Sequence, residues 1–235
     1  MLLHVVHDGP GEVVVLKPAG LATEVSRDGA ADSVLRRLTL QGVAAPRLVH
    51  RLDALACGLV LVARSSASAA HHAAEIAARR WVKWYVARVA TPAAAASALV
   101  GAHRAYLKTQ GRRAGVVRSG GKPSFLEVTT ATAVEQAPGH THLLIRLHTG
   151  RFHQIRAMLA HAGAALVGDP LYGGPPGRLY LEQVVLGATL HGDGWRVWEA
   201  PAHADRDAWS PVLRSAVADC VVTARTAPPS PVHDR

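Results

Sequence analysis

Apolar and polar positions along this chain follow two rhythms and one continuous pattern, and each predicts a kind of element. Val13-Val14-Val15-Leu16 is an unbroken apolar run, which predicts a short buried strand stopped by a turn at Lys17-Pro18-Ala19-Gly20. Leu59 to Ala63, just after Gly58, is a second such run. Val82 to Val89 alternates, placing Lys83, Tyr85 and Ala87 on one strand face and Val82, Trp84 and Val86 on the other. His142 to His148 is a further strand. Ser65 to Arg80 is Ala-rich and opens on serines, which predicts a capped helix. After Thr149-Gly150 the spacing of Ile155, Met158, Leu159 and Ala162 is that of an amphipathic helix, with Gly163 as its stop. Strands and helices mix without a regular strand-helix-strand rhythm, so the expected class is α+β rather than a doubly wound sheet. No repeat of 20–50 residues is evident.

Size and composition narrow this further. The 235 residues suit one domain of ordinary size, and 49% apolar with 18% charged residues excludes wholesale disorder. A single domain is expected over residues 1–225. A loose tail with three prolines is expected over 226–235, and no room is seen for a separate N-terminal RNA-binding domain. Two cysteines, Cys57 and Cys220, give no disulfide framework and fit a reducing compartment. No signal peptide is visible, and the longest strongly apolar run, Ala54 to Ala63, is half the roughly 20 residues of a spanning helix. The expectation is a cytoplasmic, membrane-free monomer.

Charge changes the picture. The net charge is +9, which suggests an anionic partner, most simply nucleic acid. Its distribution is uneven. From Ile76 to Leu126 there is no Asp or Glu, while Arg79, Arg80, Lys83, Arg88, Arg104, Lys108, Arg112, Arg113, Arg118 and Lys122 all fall there. Such a stretch can track a phosphate backbone; the plainer alternative is a solvated basic surface. Gly111-Arg112-Arg113 and Ser119-Gly120-Gly121-Lys122 read as mobile loops whose cations order on RNA.

Common enzyme signatures fail. There is no nucleophile elbow, zinc-protease helix or dinucleotide fingerprint. Gly120-Gly121-Lys122-Pro123 is not a phosphate loop, because Val116 and Pro123 stand where Gly and Ser or Thr are required. His71-His72 and His140-x-His142 lack a cysteine cluster, so no metal is expected. Two segments stand out. His50-Arg51-Leu52-Asp53 sets a carboxylate just before an apolar strand, as a turn residue or a catalyst. Thr149-Gly150-Arg151-Phe152-His153-Gln154-Ile155-Arg156 gathers two arginines, a histidine and an amide at a helix start, as a cap or an anion site.

These residues, in this order, resemble the RluA-type pseudouridine synthases. Lys17-Pro18-Ala19-Gly20-Leu21 is similar to that family's KPAGL element, His50 to Asp53 to its HRLD motif, and Lys83-x-Tyr85-x-Ala87 to its KxYxA strand. Gly150 to Arg156 is similar to GRxHQIR, and Gly168-Asp169-Pro170-Leu171-Tyr172-Gly173 to GDxxYG. Order and spacing agree over about Val5 to Val185. The resemblance implies the pseudouridine synthase fold, with a mixed, mainly antiparallel sheet, flanking helices and a basic cleft. It also implies an isomerase that converts uridine to pseudouridine in ribosomal or transfer RNA, without metal or organic cofactor. Asp53 matches the catalytic aspartate, acting as nucleophile or base. Tyr85 matches the tyrosine that stacks on the uracil and helps remove the proton from carbon 5. Arg156 matches the cation that pairs with the aspartate and keeps it ionised. His50, Arg51, Lys83, Arg151, His153, Gln154, Arg112, Arg113 and Lys122 are expected on RNA, with bracing the alternative for His153 and Gln154. Tyr172 is expected to brace the wall or fill core.

The chain departs from the family where Ala56 and Cys57 replace the usual Thr-Ser before Gly58. That keeps two other readings in view. One is a catalytically weak RNA-binding protein on the same fold. The other is a thiol-dependent hydrolase built on Cys57 and His50, which alkylation of Cys57 would abolish.

Overall fold

Why the chain folds as it does is clearest at its first apolar run. Val13, Val14 and Val15 are wholly buried, as a run with no polar break requires. The computed structural model describes residues 2–24 and 32–229. In chain order its principal elements are β1 His4–Asp8, β2 Glu12–Lys17, α1 Val34–Leu40, β3 Arg47–Leu48, β4 Cys57–Ala63, α2 Ser66–Ala77, β5 Val82–Val89 and α3 Ala93–Ala96. They continue with β6 Gly101–Gln110, β7 Arg113–Val117, β8 Lys122–Ala133, β9 Thr141–Leu147, α4 Gln154–His161, β10 Leu181–Thr189, β11 Trp195–Glu199 and α5 Pro211–Thr226.

The chain sorts its contacts into two compact units. The first comprises Met1–Val82, Gln183–Ala200 and Val221–Arg235, and the second Lys83–Glu182 and Pro201–Cys220. In the first, strands lie in the order β1-β2-β4-β10, with β3 also on β4 and β11 also on β10. β2 runs antiparallel to β4 with Val15 opposite Val60. Val14, Leu59, Leu61, Trp81, Leu186 and Ala188 are neighbours in the core. Gly58 has φ +119°, and a Cβ there would stand 2.3 Å from the Gln183 carbonyl oxygen, so only glycine lets β10 approach. α2 begins at Ser65, whose side chain accepts from Ser68 N–H, as its serines predict. α2 is tied to β2 by the buried Glu12 carboxylate. That carboxylate accepts from Ser68 Oγ (2.8 Å), His191 N (2.9 Å) and His72 Nε2 (2.9 Å). Burial alone would raise the Glu12 pKa; the hydrogen bonds outweigh it and hold the acid below its ordinary value.

The second unit's strands lie in the order β5-β9-β8-β6-β7, each pair antiparallel. The two segments expected as mobile loops are short connections between strands. Gln110 pairs with Arg113, so Gly111 and Arg112 form a two-residue hairpin turn with Gly111 at φ +59°. Residues 119–121 lie between β7 and β8, and at the segment ends Arg113 and Lys122 already belong to strands, Lys122 opposite Leu107. α5 is an element the sequence reading did not anticipate. Thr226, expected to open the tail, closes this helix with Oγ1 on the Val222 carbonyl (3.1 Å), and residues 230–235 lie outside the described residues. Among the described residues no helix is long and apolar enough to cross a membrane.

Candidate active site

In the first unit Asp53 sits half-buried on the connection between β3 and β4, and its neighbours fix the backbone on both sides. Thr23 Oγ1 donates to the Leu52 carbonyl at 2.7 Å and accepts from the Leu52 N–H at 3.2 Å. One buried hydroxyl thus satisfies both polar groups of a buried peptide unit. On the other side, Ala56 N–H closes a turn onto the Asp53 carbonyl (3.0 Å). The Ala54 carbonyl accepts from Gly20 N–H (2.8 Å) and from Lys17 Nζ (3.0 Å).

Lys17 is the residue that sequence reasoning missed here. It ends β2 with no exposed surface, and its ammonium also donates to the carbonyls of Leu21 (2.7 Å) and Pro18 (3.0 Å). Three acceptors meet three N–H donors, and the turn at 17–21 is fastened to the Asp53 loop. Burial lowers the Lys17 pKa to about 8, partly opposed by electrostatic interaction with Cys57 and Asp53. The detectable signal was a lysine continuing an all-apolar strand straight into a Pro-Ala-Gly turn.

His50 faces the strand it precedes. Its Nε2 accepts from Leu61 N–H (2.9 Å), which puts the proton of the neutral ring on Nδ1, and the ring meets Trp81 edge-on at 5.0 Å. His50 therefore braces β4. Arg51 is exposed and bridges Glu24 at 3.1 Å, a weak pairing in solvent.

In the second unit, Lys83 and Tyr85 occupy the same face of β5, as alternation predicts, and both are buried. Tyr85 pairs in register with Ile145. Lys83 Nζ lies 3.4 Å from where a Gly150 side chain would begin, so its ammonium sits beside the Gly150 backbone. Burial, and secondarily Arg151, lowers the Lys83 pKa to about 8.

The 149–156 segment is organised by Gln154. Its Oε1 accepts from Thr149 Oγ1 (2.8 Å) and Arg151 N–H (3.0 Å), and its Nε2 donates to the Phe125 carbonyl (3.1 Å). Of the two roles expected of Gln154, RNA contact or holding a loop, the hydrogen bonds here are of the second kind: the amide is buried and engaged by protein at both ends. Arg151 is exposed, and its Nε donates to the Pro123 carbonyl (3.1 Å). His153 precedes α4 in the left-handed region at φ +52°, an uncommon conformation for a side-chain-bearing residue. Its Nδ1 lies 3.1 Å from the Tyr172 hydroxyl, and its ring stacks on Phe152 at 3.8 Å. The Tyr172 hydroxyl also accepts from Ala114 N–H (2.8 Å), which ties the 170–173 turn to β7. Arg113 and Tyr172 line an open cavity of about 440 Å³ that also touches His161. Arg112 and Lys122 are exposed at the hairpin ends.

Arg156, in the first turn of α4, is held by Asp169. Nε donates to Oδ2 at 2.7 Å and Nη2 to Oδ1 at 2.9 Å, with both side chains buried. Its Cζ lies 5.1 Å from the Tyr172 ring centre. The two-pronged pairing fixes the plane of the guanidinium. Asp169 is the second residue the sequence left without a role, although it lies in the matched Gly168–Gly173 element.

The profile of the family described as RNA pseudouridylate synthase matches residues 12–161. The ribosomal large subunit pseudouridine synthase D of Pseudomonas aeruginosa is 34% identical over 181 residues, covering 73% of this chain and 54% of that protein. The Haemophilus ducreyi protein of the same name is 31% identical over 179 residues, covering 74% and 54%. The chain thus spans about half the length of these curated relatives. Among solved structures, human RNA pseudouridylate synthase domain containing 1 aligns with a TM-score of 0.63 at 20% identity, covering 91% of this chain and 95% of that one. The human domain containing 4 protein aligns with a TM-score of 0.66 at 16% identity, covering 84% and 88%.

Proposed function

The chain belongs to the RNA pseudouridylate synthase family, and from that premise we propose that it isomerises uridine to pseudouridine within RNA. The observation that carries the proposal is the double clamp on the Asp53 loop. Thr23 takes both polar groups of Leu52, and Lys17 with Gly20 takes the carbonyl of Ala54, so the backbone on either side of the carboxylate is fixed before any substrate arrives.

The reaction exchanges the N1–C1′ bond of uridine for a C5–C1′ bond. The proton that leaves carbon 5 ends on N1, so atoms and electrons balance without an oxidant, reductant or co-reactant. In this reading Asp53 is the carboxylate that acts on the nucleoside as nucleophile or base. Tyr85 supplies a ring against the uracil and an oxygen for the carbon 5 proton. Arg156, its plane fixed by Asp169, supplies the cation that favours an ionised carboxylate. The target base is extruded from its stack to react, at a few kcal/mol, and Arg51 and Arg151, both exposed, are the cations assigned to the backbone around it. The matched relatives are named for the ribosomal large subunit, so ribosomal RNA is the favoured substrate class and transfer RNA the second. A monomer working in the cytoplasm completes the reading.

Purified protein is incubated with unmodified ribosomal and transfer RNA and pseudouridines are mapped. One or a few new sites are expected with the wild type and none with Asp53→Asn of equal thermal stability. Full conversion by Asp53→Asn removes the mechanism; RNA binding without conversion by the wild type favours the RNA-binder reading.

A further inference from the structure

The sheet of the second unit has two faces, and only one carries Tyr85. Residues directly opposite in an antiparallel pair share a face, and residues two apart along a strand share it too. Trp84 pairs with Arg146, Arg146 with Glu127, Phe125 with Arg104, and Tyr106 with both Pro123 and Val117. These residues, with Lys108, therefore lie on the face opposite Tyr85. The burial of β6 follows the same parity: Arg104, Tyr106 and Lys108 are exposed, whereas Leu107 between them is buried.

This face is built of planar groups and cations. Phe125 stacks on His148 with ring centres 4.1 Å apart and planes 8° from parallel. Arg104 Cζ lies 4.5 Å from the Phe125 centre. Groups that close must take opposite sides of one ring, so Arg104, Phe125 and His148 form a column across three adjacent strand ends. Beside it Tyr106 is 50% exposed, an unusual display for a tyrosine on a central stretch of sheet. Arg151 reaches the same edge through its bond to the Pro123 carbonyl. β6 and β7 lie in the acid-free stretch, and the acid on the rows traced here, Glu127, stands 3.7 Å from His148.

We propose that this face, anchored by Tyr106 and the Arg104–Phe125–His148 column, is a second RNA-binding surface that takes a single-stranded segment flanking the target by base stacking. Aromatic and guanidinium planes on a sheet, set among cations, are what sequence-tolerant single-strand binding requires. Charge decides for RNA over a protein partner, because the surface is rich in cations and the large apolar side chain it exposes is the Tyr106 ring. The proposal rests on the RNA reading only for the identity of the partner.

The test uses the full chain and a fluorescent oligomer of about a dozen adenosines. It contains no uridine, so binding is read whether or not the protein converts uridine. Wild-type binding is expected in or below the non-specific range of roughly 10⁻⁴–10⁻⁶ M. Tyr106→Ala is expected to weaken it about five- to a hundredfold, the loss of one stacking station. Arg104→Ala is expected to weaken it and to flatten the slope of log affinity against log salt by about 0.7. Both side chains are exposed, and unchanged thermal melts establish that the variants are folded. Affinities of both variants within about twofold of wild type overturn the proposal, as does a wild type that does not bind the oligomer at low salt. Loss of binding in Tyr106→Ala upholds the surface even if Asp53→Asn and wild type prove equally inactive on uridine, so the two readings fail separately.

Discussion

Replacing Thr23 by valine tests the double clamp at its most compact point. Valine matches threonine in shape, so the substitution removes the hydroxyl with little change in packing. The buried Leu52 N–H and carbonyl then lose the partner that serves both. Each of the two unsatisfied buried backbone groups costs about 1–3 kcal/mol, and the added methyl returns about 0.8 kcal/mol, so a net loss of about 1–5 kcal/mol is expected. For a chain of this length that corresponds to a Tm lower by about 2–20 °C. Asp53 is the next residue, and its carboxylate direction follows from the Leu52 peptide. A displacement of order 1 Å there is expected to lower kcat by up to about a hundredfold while KM stays within about twofold. The assay pairs a melting curve with single-turnover pseudouridine formation, and Thr23→Ser serves as control. Serine keeps the hydroxyl and loses only a methyl, at about 1 kcal/mol. If Thr23→Val melts and turns over like Thr23→Ser, the clamp does not position Asp53 and the reasoning is refuted.

Three further outcomes are expected. Asp169→Asn replaces the charged half of the buried Arg156–Asp169 pair by a neutral amide and should lower stability by about 3–5 kcal/mol; a melt within about 1 °C of wild type would contradict the pairing. Gly58→Ala drives a Cβ into the Gln183 backbone at a positive φ and should give little soluble folded protein on gel filtration. His142 is wholly buried, accepts from Arg88 Nε at 3.1 Å, and is pushed down to about 3 by burial first and by Arg88 and His140 after it. It stays neutral when folded and takes a proton when unfolded, so the unfolded state binds more protons between about pH 3 and 6.5. Stability is then full above pH 6.5 and falls with decreasing pH by up to about 1.4 kcal/mol per unit, and His142→Gln should flatten that slope by one proton; parallel slopes in denaturation at several pH values would refute the assignment.

What the residues disclosed in advance follows the range of the forces involved. β5 was legible to the residue because alternation is a local property, and the start of α2 because Ser65 caps its own helix. α5 carried a usable signal, Leu213, Val217 and Val221 at helical spacing with Pro211 at its first position, but a Pro-rich end drew the eye to a tail. The β6–β7 hairpin was legible only at its turn, where Gly111-Arg112 carries the local signal; its strands are defined by pairing with each other and across to β8, which local composition does not carry. At the site, the motif residues were visible as a pattern, yet their division of labour was not. That Gln154 serves its own loop and that Asp169 holds Arg156 depend on partners up to 29 positions away, which spacing does not reveal. Lys17 shows the same limit, since a buried ammonium is defined by three carbonyls brought together by the fold.

The first unit is assembled from three separated stretches of chain, and this has a consequence on the ribosome. β4 is a nearly continuous apolar strand whose neighbour, β10, is encoded about 120 residues later. At 5–20 residues per second, roughly 6–24 s pass between synthesis of the two. Throughout that interval β4 has β2, β3 and His50 as partners but lacks the strand that completes its pairing, so part of its edge stays a sticky template. The second unit holds most of its strands in the single stretch Lys83–Glu182 and can close its own hairpins as they emerge. Production of this protein is therefore expected to depend on translation rate and on chaperones that shield nascent strands, and slow codons placed between β4 and β10 should lower soluble yield more than the same codons placed after β11.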